Sequence, residues 1–162
     1  MFFRWDLKTE EEVLKFLQNL KIKADKKDLY NYIDDEIKKL KLLFESRKPN
    51  KIKSLEKGKT KIDLNTFLYT SWGYDQTNVE IFKIVKIIGK NYFLIREMRQ
   101  DYKEDGFMCS HSGTTEGTTF LKDFPIKAYI SNDGHMSICE TGYKRSLWIH
   151  EKGERHYKSW YA

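Results

Sequence analysis

The chain has little cysteine, no long apolar run and no recognisable catalytic signature. Only Cys109 and Cys139 occur in 162 residues. Two thiols cannot build the disulfide framework of a small secreted scaffold, so both are expected as free thiols in a reducing compartment. No apolar run approaches the roughly 20 residues that a bilayer span needs. The opening "MFFRWDLKTEEEV" turns acidic too early for a secretory signal. A cytoplasmic location, with no membrane partner, is the expectation. The run "SGTTEGTTF" has glycines and hydroxyls but lacks the lysine of a phosphate-binding loop. Internal repeats are absent, and the helical stretches are too short for a coiled coil.

Charge is present and unevenly spread. The net charge is +6, yet residues 38–61 alone hold ten Lys or Arg against Glu45 and Glu56. That excess of eight exceeds the total for the chain, and a local potential of this kind favours polyanions. A solvated, lysine-coated linker would show the same composition.

The first third has helical periodicity. Thr9-x-x-Glu12 is a capping-box pattern, followed by Val13, Leu14, Phe16, Leu17 and Leu20 on a short helix. After "KIKADKKD", with Asp25 and Asp28 at a new N-terminus, Leu29, Ile33, Ile37, Leu40 and Phe44 form one apolar stripe. Pro49 ends it, because its ring fixes φ and it has no N–H to donate. A lysine-rich connector follows, and the pattern then changes to period two. Strands are expected at Thr66–Thr70, Val79–Ile88, Asn91–Met98, Ile126–Ile130, His135–Cys139, Leu147–His150 and His156–Tyr161. Tight turns stand at Gly89, at "SNDG" and at "EKGE". "RQDYKEDGFMCSHSGTTEGTTFLKD" reads as a long loop or an irregular strand pair. The expected fold class is α+β: a helical hairpin over 1–48, a basic connector over 49–64, and a small antiparallel β-barrel or rolled sheet over 65–162, an SH3-like barrel being one form.

Two stretches carry a resemblance. "TSWGYDQTNVEIFKIVKIIGK" is similar to an SSWGYDQTN-like run, followed by an aromatic strand and a Gly-Lys turn, in a family of small bacteriophage, plasmid and integrative-element proteins. The ending "GYKRSLWIHEKGERHYKSWYA", with Tyr143, Trp148, Gly153, Tyr157, Trp160, Tyr161 and Ala162, is similar to that family's aromatic Tyr-Ala terminus. Thr70 stands where the family has serine, and "WIHEKGE" replaces a Trp-Asp-Gly-Lys turn. The resemblance covers about residues 65–162. It implies a mobile-element accessory protein, a setting in which anti-defence factors of the anti-CRISPR type are frequent. It implies no activity.

The candidate binding residues are Tyr69, Trp72, Gly73, Tyr74, Asp75, Gln76 and Asn78, together with Lys48, Lys51, Lys53, Lys57 and Lys59. Planar side chains on a β-scaffold stack bases, and lysines hold the phosphates between them. An aromatic cage for a cation would use the same rings. Alternatively, Trp72 plugs the barrel end while Asp75, Thr77 and Asn78 hydrogen-bond a tight turn. The expected partner is nucleic acid or a host ribonucleoprotein or nuclease. A protein–protein inhibitor that touches no nucleic acid is the alternative. No cofactor and no metal are expected: Cys109-x-His111 and His135-x-x-x-Cys139 lack knuckle spacing. A third reading is a small phosphodiesterase using His150 and His156, which flank one turn and could face each other across it.

Overall fold

A computed structural model describes residues 9–113, 119–139 and 144–160. Tyr143, Tyr161 and Ala162 of the family-like ending lie outside the described residues. The chain divides into two compact units, Met1–Lys48 and Pro49–Ala162.

The first unit is a pair of helices, α1 (Glu10–Ile22) and α2 (Lys27–Arg47). The capping box forms as its spacing requires: Thr9 Oγ1 accepts from Glu12 N at 3.2 Å, and Thr9 N donates to Glu12 Oε2 at 3.2 Å. Helix α2 begins at Lys26 without a side-chain cap, and Asp28 falls in its first turn. Leu17, Ile33 and Ile37 form the buried seam. Leu29, the first residue of the expected stripe, stays exposed with Phe16, Leu20 and Tyr32.

The second unit is all β. Its strands are β1 (Ser54–Lys57), β2 (Thr60–Asp63), β3 (Phe67–Trp72), β4 (Asn78–Ile88), β5 (Tyr92–Glu97), β6 (Asp101–Gly106), β7 (Cys109–Gly113), β8 (Ile126–Ile130), β9 (Met136–Cys139), β10 (Lys144–His150) and β11 (His156–Ser159). Six of them close an antiparallel barrel in the order β10-β3-β4-β5-β8-β9. Strand β4 carries a register shift between Ile84 and Lys86, a local extra residue of the kind that lets a long strand bend around a barrel. The inward set is Leu68, Phe82, Ile84, Phe93, Ile95, Ala128, Ile130, Ile138 and Leu147. Burying each large side chain of this set contributes about 1.5–3 kcal/mol.

One feature departs from the expected layout, and one open alternative is decided. The segment 49–64, read as a basic connector, contains the β1–β2 hairpin, and Ile62 on it is fully buried in the barrel core. Its tip packs on the β8–β9 turn so closely that a Cβ on Gly134 would lie 2.6 Å from the Lys57 carbonyl oxygen. The polar run after Met98 does form a strand pair, β6–β7, which β11 extends into a separate three-stranded sheet. Strand β11 packs against β4, so the outward residues Val79 and Ile81 are buried as well. Among the described residues, no helix is long and apolar enough to cross a membrane.

Candidate functional site

The register fixes two ends of the barrel. At one end lie Trp72, Asn78, Glu97 and Cys139; at the other lie Phe67, Ile88, Tyr92, Ile130, Met136 and His150. Call them the upper and lower ends. The five steps of β3 separate them by roughly 17 Å.

The Trp72–Asn78 loop caps the upper end. Gly73 has φ +137°, and a Cβ there would lie 1.8 Å from the Gln76 carbonyl oxygen, so this turn requires glycine. Thr77 fastens the loop to β11: its N–H donates to Ser159 Oγ at 3.0 Å, and its carbonyl accepts from Ser159 N at 3.1 Å. Gln76 Nε2 reaches Asn78 Oδ1 at 3.5 Å. Tyr74, Asp75 and Gln76 are exposed, and Trp72 is 45% exposed on the edge of the barrel mouth. The indole therefore borders the mouth without being sealed inside it.

Beside Trp72 runs a cleft of about 440 Å³, lined by Trp72, Asn78, Arg99, Gln100, Tyr102 and Lys158 among others. Its two carboxylates are engaged: Glu80 Oε2 pairs with Arg145 at 2.6 Å, and Glu97 Oε2 with Lys122 at 2.6 Å. The Arg145 guanidinium also lies 5.9 Å from the Trp72 ring, and Lys158 Nζ lies 5.2 Å from the Tyr102 ring. Arg99 is exposed, and neither it nor Lys158 has a carboxylate partner among the described residues. The cleft is therefore aromatic with surplus positive charge. Arg99, Tyr102 and Lys158 were not among the expected binding residues, because they come from β11 and the β5–β6 segment, distant in sequence from Trp72.

The other expected residues are dispersed. Tyr69 is three positions from Trp72, so alternation puts the two side chains on opposite faces of β3. Tyr69 points outward and is covered by His156, with ring centroids 3.6 Å apart and 22° between planes. It does not share a stacking surface with Trp72. Lys57 and Lys59 belong to the hairpin at the lower end, where Lys57 Nζ donates to Asn132 Oδ1 at 3.2 Å. Lys51 and Lys53 are exposed on the approach to that hairpin, next to Ile52, which bridges to Ile87. Lys48 ends the helical unit, 2.8 Å from Glu45. Within α2, Lys38 and Lys39 are likewise paired, with Asp34 and Glu36. The lysines of the β unit therefore do not adjoin the aromatic loop.

The four histidines do not gather into one cluster. His111 lies edge-on to Tyr157, and His135 Nε2 lies 3.3 Å from Ser146 Oγ. His150 and His156 do face each other across the turn, Nδ1 to Nε2 at 2.8 Å. Burial pushes both imidazoles below their usual pKa; for His150 the neighbouring His156 adds to this, while Glu154 opposes it for both. Cys109 and Cys139 are both free thiols, one half-buried on β7 and the other exposed at the upper end of β9.

Compared with known protein families, curated proteins and solved structures, the chain matches none.

Proposed function

We propose that the protein is a non-enzymatic binder of single-stranded nucleic acid, and that the upper end of the barrel is the binding surface. The observation that carries this reading is the exposed Trp72–Tyr74 loop beside a cleft whose cations Arg99 and Lys158 have no carboxylate partner among the described residues. Bases stack on flat rings held by a stiff β-scaffold, and each stacked base contributes about 1–3 kcal/mol. Arg99 and Lys158 answer the phosphates between those bases. The lysines of the β1–β2 hairpin lie at the opposite end of the barrel, where salt largely screens them from this surface, and they add little to the grip. The mobile-element resemblance supplies the setting: an accessory factor acting on nucleic acid, or on a host nucleic-acid complex, in the bacterial cytoplasm.

Fluorescence anisotropy with labelled 15-nucleotide DNA and RNA strands tests this. Affinity should fall steeply as salt rises, since displaced counterions are the signature of phosphate contacts. Trp72→Ala should weaken binding roughly tenfold to a hundredfold, on about 1–3 kcal/mol for each lost stack. The double variant Lys57→Ala/Lys59→Ala should weaken it only slightly. Absence of binding at low salt, or an affinity indifferent to salt, would remove nucleic acid from the account. That outcome would favour a protein partner, for which the helical unit presents an apolar groove of about 910 Å³ lined by Phe16, Leu20, Leu29, Tyr32 and Phe44.

A further inference from the structure

His150, at the end of β10, and His156, at the start of β11, flank the turn that contains Glu154. Among the described residues this is the one group of three side chains with metal-binding geometry, its ligand atoms all within 4.8 Å of one another. The imidazole nitrogens are 2.8 Å apart, and each lies 3.9 Å from Glu154 Oε2. In a tetrahedral zinc site with Zn–N near 2.0–2.1 Å, neighbouring ligand atoms stand about 3.3 Å apart. The three atoms bracket that spacing, so shifts of about half an ångström would bring all of them onto one ion.

The surroundings are those of a built site. The side chain of His150 is 1% exposed, that of His156 9% and that of Glu154 38%. Tyr69 stacks on His156, and Trp148 packs against Tyr69 with centroids 5.6 Å apart, so the imidazole plane is set by a rigid wall. The Glu154 carboxylate is held by its own turn, with Glu151 N donating to Oε2 at 2.9 Å. Ser112 stands directly cross-strand from His156, and its buried hydroxyl has no hydrogen-bond partner among the described residues. A hydroxyl at cross-strand distance offers an acceptor of the kind that orients a metal-bound imidazole. Burial lowers the pKa of both imidazoles and so favours the neutral ring, the form a metal requires.

We infer that His150, Glu154 and His156 form a binding site for a first-row divalent metal ion, zinc being the best match to two imidazoles and one carboxylate. Three protein ligands leave a fourth position, on the exposed Glu154 side, for water. The site lies on the outer face of β3 and β10 and shares no residue with the upper cleft, so it stands or falls separately from nucleic-acid binding.

The test is titration of chelator-treated protein with ZnCl2, followed by calorimetry and by competition with a chromophoric chelator. CoCl2 then serves as a spectroscopic probe. The expected result is one equivalent bound, a saturable rise in Tm, and a cobalt spectrum with tetrahedral d–d bands but no thiolate charge transfer. Glu154→Gln changes a partly exposed carboxylate and should fold normally while weakening zinc binding at least tenfold; His156→Gln should do the same. A wild-type protein that takes up no stoichiometric zinc would overturn the assignment. So would thiolate bands in the cobalt spectrum, or affinity unchanged in a folded Glu154→Gln protein.

Discussion

Replacing Ile62 by alanine distinguishes a structural hairpin from a charged tether. Ile62 lies in the lysine-rich stretch, between the exposed Lys61 and the half-buried Asp63, yet its side chain is fully buried among the inward residues of the barrel. Truncation removes three carbons, worth about 2.4 kcal/mol at roughly 0.8 kcal/mol for each buried methylene. The cavity left behind adds to that, and Ile-to-Ala changes in cores cost about 2–5 kcal/mol in all. A loss near 3 kcal/mol, with a urea slope of about 2 kcal/mol/M, moves the unfolding midpoint down by about 1.5 M. The assay is urea denaturation followed by tryptophan fluorescence, since Trp72, Trp148 and Trp160 all belong to the β unit. Lys61→Ala, one residue away and exposed, should stay within about 0.5 kcal/mol of wild type. A midpoint change below about 0.3 M for Ile62→Ala, with the slope unchanged, would mean that the segment is a tether and that the core closes without it.

Other outcomes follow from single side chains. Gly73→Ala should lower stability by about 1–3 kcal/mol through forced backbone strain, read as a drop in Tm, and an unchanged Tm would contradict the turn described here. Thr70→Val removes the hydroxyl that donates to the Ser146 carbonyl at 2.8 Å inside the barrel, and should cost about 1 kcal/mol in urea unfolding. The carboxyl of Asp34 is held down to about 2 by its hydrogen bond to Lys21 and then by Lys38, against 3.8 ordinarily. The unfolded chain therefore binds a proton first as pH falls, so this stabilisation is complete above about pH 4 and is lost as pH drops toward 2. Thermal melts of helical circular dichroism across that window should show the loss in wild type and a flatter profile in Asp34→Asn.

Much of the architecture was legible along the chain because it rests on neighbours. The capping box at Thr9, the break at Pro49 and the alternation in β3 to β5 depend on a few consecutive residues and their φ, ψ and hydrogen bonds. So does the pairing of His150 with His156, since a tight turn returns one residue to the other. What the three-dimensional structure decided is long-range. Composition hid the β1–β2 hairpin, because lysine dominates 49–64 and a single residue, Ile62, does the burying. No local pattern could show that β11 covers the outside of β3 and β4. That cover stacks His156 on the half-buried Tyr69 and sets the histidine pair with Glu154 against a rigid aromatic wall. Nor could a linear charge count show that the hairpin lysines and the aromatic loop occupy opposite ends of a barrel, while Arg99 and Lys158 meet beside Trp72. Proximity of that sort depends on which strands pair and on how the sheet closes, and both follow from the free energy of burying one shared core.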